Sequence, residues 1–529
     1  MIKQFLKIKP HLFFWIFFYI FLFVLVLNNS YSYLDPDLGW HLRVGEEISL
    51  SGQVPSDNLY NYTYTGSWVD HEWLANLWLY RAYSAWGYQV VSAFFALLVI
   101  AILVLLNIRT QRRWQLVPPS LIVALQTLGV MAALPSLGVR LQEFGLVFLF
   151  IILLIMEAYE RRRDWRLPAL LPVVFYFWAS LHASFLLGLF LLVAWLMVKA
   201  TGGWLRRTRF RAWLSDDEIS SRDLAIFSIG AAAALIATLL TPYRLELYAF
   251  LGGYSDNFYQ MHIREWLSQH IFPLQYWQLF YMAIAASLAG LYLYQVRLRR
   301  AKISLWDFFL LLLFLFLAWR SRRHFPLFLI ATFPFLISAG NVLFLETTNC
   351  PVRSWPRWLK AYILVALILI SSSLLLQSRL TADPFRSHCQ SYPCGAADFL
   401  ESKPEYAKKR LFNDYGWGGY LIWRLPDRQL FIDGRLPQAE FGGHTFLEEY
   451  YEFYKEGADI AAKLDEHDIG LVLITAQDRP VSLRAWEKFF FQISEEELVP
   501  QNYLRDYLES ADWTVVYADE TAKIYARSK

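Results

Sequence analysis

The chain is poor in charge and in cysteine. Charged residues are 18% of its 529 positions, the formal net charge is +3, and there are three cysteines. So even a balance gives no basis for a nucleic-acid partner. The sequence holds no P-loop, no GxGxxG ahead of a helix, no GxSxG and no CxxC. No ATPase, dinucleotide enzyme or ordinary serine hydrolase is therefore visible. His71 opens HEWLA, which lacks the second histidine of a zinc-binding helix. There is no internal repeat and no low-complexity linker. The first apolar run has a basic flank (Lys3, Lys7, Lys9) but no small-residue cleavage site behind it, so it reads as an uncleaved first helix.

Apolar residues are plentiful instead. The chain is 56% hydrophobic, with a mean hydropathy of +0.31. Apolar runs recur that are long enough to cross roughly 30 Å of hydrocarbon. The pattern predicts a polytopic α-helical membrane protein with about eleven spans. They lie near 11–29, 87–108, 117–135, 141–159, 167–181, 183–199, 224–241, 274–294, 305–319, 326–345 and 360–377. Tryptophan (22) and tyrosine (31) gather at the run ends, as membrane interfaces favour. Basic clusters fall on alternate loops: Arg109/Arg112/Arg113, Arg161 to Arg163, Arg206/Arg207/Arg209/Arg211, Arg297/Arg299/Arg300 and Arg353/Arg357/Lys360. The positive-inside rule then puts the N-terminus in the cytoplasm and the segment after the last span outside.

The expected organisation is a membrane domain over 1–377, whose first outer loop spans 30–86, and an extracytoplasmic α/β domain over 378–529. In the loop, 37–50 reads as a surface helix with Asp37 at its N-cap and Gly52 past its end. LYNYTYT (59–65) reads as a strand, and 72–86 as an amphipathic surface helix. In the tail, RLFND, QLFID, LVLITA, WTVVYA and TAKIYA read as strands. Cys389 and Cys394 lie in CQSYPC, where an oxidising compartment permits a disulfide; two unpaired thiols are the alternative. Cys350 falls on the cytoplasmic side.

Candidate chemistry sits at the outer ends of the spans. In DPD, proline pushes Asp35 towards extended geometry, so Asp35 and Asp37 can present two carboxylates on one side. Such a pair can hold a hard cation, or let one carboxylate serve as base. The plainer reading is a turn at Asp35 and a cap at Asp37. WRSRRHF (319–325) puts Arg320, Arg322, Arg323 and His324 on the outer side, where the rule expects few cations. Guanidinium groups there suit a phosphate or pyrophosphate, or anchor to lipid headgroups. Arg140 and Arg264 would add to that face. His182 sits in a very short turn between two spans, and Glu265 beside Arg264 in an outer loop. Tyr60, Tyr62, Tyr64, Trp68 and Trp73 could stack on sugar faces, though an interfacial belt is the commoner use.

Together these stretches resemble the GT-C superfamily of integral-membrane glycosyltransferases, and substrate-unassigned bacterial membrane proteins of that type in particular. The stretches are DPDLGWHLRVGEEI, VPSDNLYNYTYTGSWVDHEWL, WASLHASFLLG, REWLS, SRRHFPLFLIATFP and FNDYGWGGYLIWRL…FIDGR. The resemblance implies that Asp35 and Asp37 supply the catalytic base or hold a divalent metal (Mg or Mn) beside the acceptor. It puts Glu72 where a second outer acid stands, and gives Arg320, Arg322 and Arg323 the grip on a donor phosphate. It implies a polyprenyl-phosphate sugar donor and a lipid, glycan or protein acceptor at the cytoplasmic membrane. FNDYGWGGY resembles the WWDYG acceptor motif of oligosaccharyltransferases in altered order, and peptide-acceptor binding is not carried over. Two rivals remain: a transporter or flippase of lipid-linked saccharide, and a non-enzymatic assembly protein.

Overall fold

The computed structural model describes residues 10–528, apart from 65, 114–116, 216–218, 254–256, 348–356, 378–382, 478–482, 492–493 and 495–500. Cys350, Arg353 and the Lys3/Lys7/Lys9 cluster lie outside the described residues. The chain forms two compact units. One holds residues 1–33, 89–245 and 263–380; the other holds 34–88, 246–262 and 381–529.

The first unit is helical. Eight helices among the described residues are long and apolar enough to cross a membrane. They are Leu12–Ser32, Trp73–Arg113, Pro119–Ser136, Gln142–Arg162, Phe185–Leu205, Ser221–Thr238, Tyr276–Arg297 and Arg322–Leu343. The chain is thus a multi-pass membrane protein. The other three expected spans fall on Arg166–Leu181, the 16-residue helix Leu305–Arg320 and the 21-residue helix Arg357–Gln377. The first two fall just short of the roughly 17 residues a span needs and the third exceeds it, so length and composition together support eight spans among the described residues and do not confirm eleven. Trp73–Arg113 breaks at Gly87 (φ 73°, ψ 173°), a conformation that glycine adopts without a Cβ clash. The stretch before the break is the expected surface helix, the stretch after it the expected span. The boundary between the units falls one residue later, at Tyr88.

The second unit gathers the 34–88 loop, residues 246–262 and the tail. Its four-stranded sheet consists of β1 (Arg410–Asn413), β2 (Ile469–Thr475), β3 (Trp513–Ala518) and β4 (Ala522–Arg527), in the order β1-β2-β4-β3. β1 runs parallel to β2, and the other pairs are antiparallel. β2 is apolar on both faces, as an inner strand must be, with Leu471, Val472, Leu473 and Ile474 buried. QLFID is not a strand. Leu430 makes isolated bridges to Leu411 and Asn61, the latter the one bridge of the 59–65 segment among the described residues, while Asp57 and Ser67 bridge on either side of it. Alternation marked a ladder there, but hydrogen bonding stops after one rung. Cys389 and Cys394 are disulfide-bonded.

The loop 34–88 was expected to belong to the membrane domain; it packs with the tail. The surface helix α1 (Leu38–Ser51) lies against α2 (Gly418–Arg424). Both helices offer glycine where they meet: a Cβ on Gly39 would stand 2.1 Å from the Gly419 carbonyl oxygen. No side chain fits that gap, and the obstacle is backbone, which cannot swing away. Gly39→Val is therefore predicted to lower the stability of this unit by about 3 kcal/mol or to unfold it, read as early loss of the protease-resistant 381–529 fragment on heating.

Candidate functional site

The acidic motif is shaped by its own backbone first. Asp35 Oδ1 accepts the Asp37 N–H at 3.1 Å, a turn of the kind aspartate makes two residues ahead. Asp37 takes the N-cap position of α1 and its carbonyl receives His41 N–H, yet its side chain makes no cap bond. Asp37 Oδ1 instead accepts Trp40 Nε1–H at 2.9 Å. The expected cap is thus a cap in position only, because the indole draws the carboxylate away from the helix end. Both aspartates are partly exposed.

Opposite Asp37 lies the loop Ile432–Arg435. A Cβ on Gly434 would be 2.3 Å from Asp37 Oδ1 and 3.7 Å from Trp40 Nε1. The carboxylate therefore rests in a hollow that only glycine leaves open. The neighbours of Gly434 fix it in place. Asp433 and Arg435 form an ion pair at 2.8 Å with both side chains 0% exposed. Arg435 also donates to Asn58 Oδ1 (2.9 Å) and Asn61 Oδ1 (3.0 Å), and its guanidinium lies between the rings of Tyr60 and Trp68 at 4.4 and 4.6 Å. Tyr60 and Trp68, read as sugar-stacking candidates, are thus walls of this ion pair.

Glu72 is buried just behind α1. Its carboxylate is 3.9 Å from His41 Nδ1 and 3.8 Å from His71 Nε2. His41 Nδ1 lies 2.7 Å from Asn76 Oδ1, and Asn76 Nδ2 donates to both oxygens of Asp70, at 2.9 and 3.0 Å. Burial pushes the Asp70 carboxyl up to about 6, against the pull of the Asn76 and Glu72 hydrogen bonds and of Arg435. Tyr62 is spent on the sheet: its hydroxyl donates to the Leu411 carbonyl at 3.2 Å, and Arg410 lies over its ring.

The membrane unit carries the arginine loop. Arg322 is buried and donates from Nη2 to the Ile271 carbonyl, clasping the 263–275 segment; its Nε and Nη1 find no acceptor among the described residues. Arg323 Nε donates to Gln142 Oε1 at 2.6 Å, and its guanidinium stacks 5.3 Å from the Trp266 ring. Arg320 is half-buried and reaches Ser268 Oγ at 3.5 Å, while Arg264 is exposed. Arg140 pairs with Glu265. Burial raises the Glu265 carboxyl, but Arg140 and Arg323 outweigh it and hold it below the usual range. Glu265 is thus a fixed counter-charge rather than a proton carrier. His324 packs edge-on against Trp266 and faces the Leu317 carbonyl at 3.3 Å. His182 Nδ1 lies 2.7 Å from Ser184 Oγ and accepts Ser184 N–H, holding the turn between two helices.

Sequence reasoning missed Trp40, Gly434 and the Asp433–Arg435 pair. WGG and FIDGR held the signal: glycines beside charged and aromatic residues mark close backbone approach. Among the described residues no three His, Cys, Asp or Glu side chains gather to hold a metal ion. Mg or Mn takes about six oxygen ligands. Asp35 and Asp37 would supply two carboxylates of that set, with water completing it.

No family model matches the sequence, and no curated protein matches it. Solved structures do. The archaeal oligosaccharyltransferase of Archaeoglobus fulgidus, tethered to an acceptor peptide with the NVT sequon, is 11% identical at a TM-score of 0.50, covering 100% of this chain and 75% of that one. The same enzyme, named AglB, in complex with an inhibitory peptide and a dolichol-phosphate, is 10% identical at 0.50, covering 99% and 75%. The fold is similar to that of this archaeal oligosaccharyltransferase.

The Asp70 carboxyl gives a test of the buried network. Its folded value (about 6) lies above its ordinary 3.8, so its contribution to stability is present below about pH 4 and is lost as pH rises through 6. The span is on the order of 3 kcal/mol at 1.36 kcal/mol per unit. Melting temperature is predicted to fall between pH 4 and pH 7, and to fall less in Asp70→Asn.

Proposed function

We propose that the chain is a membrane glycosyltransferase that moves a sugar from a polyprenyl-phosphate-linked donor to a lipid, glycan or protein acceptor on the outer side of the cytoplasmic membrane. In this reading its N-terminus is inside and its 378–529 domain outside. The observation that carries it is the acid pair Asp35/Asp37 directly behind the first span, in a fold like that of an oligosaccharyltransferase. The chemistry asks little more. One aspartate takes the proton of the acceptor hydroxyl as general base. The acceptor oxygen bonds to the anomeric carbon, the bond from that carbon to the phosphate oxygen breaks, and polyprenyl phosphate leaves with the electron pair. A lipid-borne donor reaches the surface by lateral diffusion, which is consistent with a chain lacking a nucleotide motif.

The leaving phosphate gains charge, and guanidinium groups answer that charge best in partly desolvated surroundings. Arg320 and Arg264 are the more accessible cations of the arginine loop, and Arg322 carries two buried N–H edges without acceptors among the described residues. They support a phosphate-binding role for that loop. Arg323 and Arg140, held by Gln142, Trp266 and Glu265, set its shape. No step is routed through a metal.

Membranes bearing the chain are predicted to transfer label from a polyprenyl-phosphate-linked hexose to a membrane acceptor. Replacing the general base among Asp35 and Asp37 by asparagine lowers the rate by about 10²- to 10⁴-fold at unchanged expression. Transfer untouched by either substitution sinks the assignment.

A further inference from the structure

The two aspartates are built differently, and the difference assigns their roles. Asp35 spends Oδ1 on the Asp37 backbone N–H, a bond an asparagine oxygen would make equally well. Asp37 makes no local turn with its side chain. Its Oδ1 is met by Trp40 Nε1–H from within α1 and lies over the Cα of Gly434 from the tail. Trp40 is 4% exposed and packs edge-on against Trp68 at 6.3 Å, the same Trp68 that covers Arg435. Both supports of the Asp37 carboxylate thus rest on one rigid piece, the buried Asp433–Arg435 pair with its two aromatic rings.

We infer that Asp37 is the catalytic base of the proposed transfer and that Trp40 and Gly434 are positioning residues that seat the Asp37 carboxylate. The inference rests on the transferase reading but goes past it. It says which acid reacts, and gives FIDGR in the tail a part in the chemistry. A buried indole donor fixes one carboxylate oxygen and so orients the other. A hollow without a Cβ lets the carboxylate lie against the backbone instead of being pushed off it. A general base must sit within hydrogen-bond reach of the proton it takes, and misplacement by about 1 Å can cost about 100-fold. Seating of this kind has a functional rather than a packing logic. A packing role would be met by any apolar residue at 37 and an alanine at 434.

The experiment uses the full-length chain in membranes with the labelled polyprenyl-phosphate-linked hexose. It compares Asp35→Asn, Asp37→Asn, Trp40→Phe and Gly434→Ala. Asp37→Asn is expected to lose transfer. Trp40→Phe, which keeps the ring and removes the N–H, is expected to lower kcat by about 10- to 100-fold with donor KM unchanged. Gly434→Ala should do the same. A second readout needs no transfer: carbodiimide labelling at one fixed pH, mapped by peptide mass. Trp40→Phe and Gly434→Ala should change the labelling of Asp37 and leave that of Asp35 alone, at a melting temperature near wild type. Loss of transfer in Asp35→Asn with Asp37→Asn active overturns the assignment while the transferase reading stands. Full transfer by both overturns the transferase reading itself. Asp37 labelling indifferent to Trp40→Phe and Gly434→Ala overturns the seat.

Discussion

An ion pair with no access to water, Asp433 with Arg435, organises the second unit. Moving two charges out of water costs several kcal/mol for each, and only dense compensation makes that tolerable. Here the compensation draws on a wide stretch of sequence, although Arg435 Nη1 finds no acceptor among the described residues. Asn58 and Asn61 supply carbonyl oxygens, Tyr60 and Trp68 supply ring faces, and all four come from the loop 34–88. The pair therefore pins a segment near residue 60 to one near residue 434. The acid motif is carried along because Trp40 leans on Trp68. A hydrophobic replacement of the pair would hold the same parts together. It would not hold them in the one register that sets Gly434 beneath Asp37.

The two units solve different problems. The membrane unit satisfies backbone polar groups within helices, as hydrocarbon requires. It keeps its cations at helix ends, where Arg140, Arg322 and Arg323 are tied to Glu265, the Ile271 carbonyl and Gln142. The second unit brings a short mixed sheet together with a helix that directly follows the first span in sequence. The acids at the end of that span thus belong structurally to the tail, 350 or so residues later in the chain.

Much of this was legible. Long apolar runs gave the membrane class, and the DPD acids, the following helix with its left-handed Gly52 and the surface helix before Gly87 read out from periodicity and punctuation. The fold-level resemblance agreed with the solved structures. What did not read out depends on long-range partners. Arg166–Leu181 and Leu305–Arg320 have the composition of spans but not the length. LYNYTYT alternates like a strand, yet Tyr60 and Tyr62 answer to Arg435 and the Leu411 carbonyl, which no local pattern encodes. Arg322 looked like a surface cation, but its partner is a backbone carbonyl fifty residues away in sequence. Asp37 looked like a helix cap because its competing donor, an indole N–H three residues on, is invisible to any rule about caps.

The central claim is that a sugar leaves a lipid phosphate on this protein. Native mass spectrometry of the extracted chain, loaded with a polyprenyl-phosphate-linked hexose and then mixed with acceptor membranes, tests it most directly. The account predicts that the bound donor mass gives way to polyprenyl phosphate while one hexose mass appears on a membrane acceptor. Donor that binds and is returned intact, with no free polyprenyl phosphate, would contradict it and point to transport of the lipid-linked sugar.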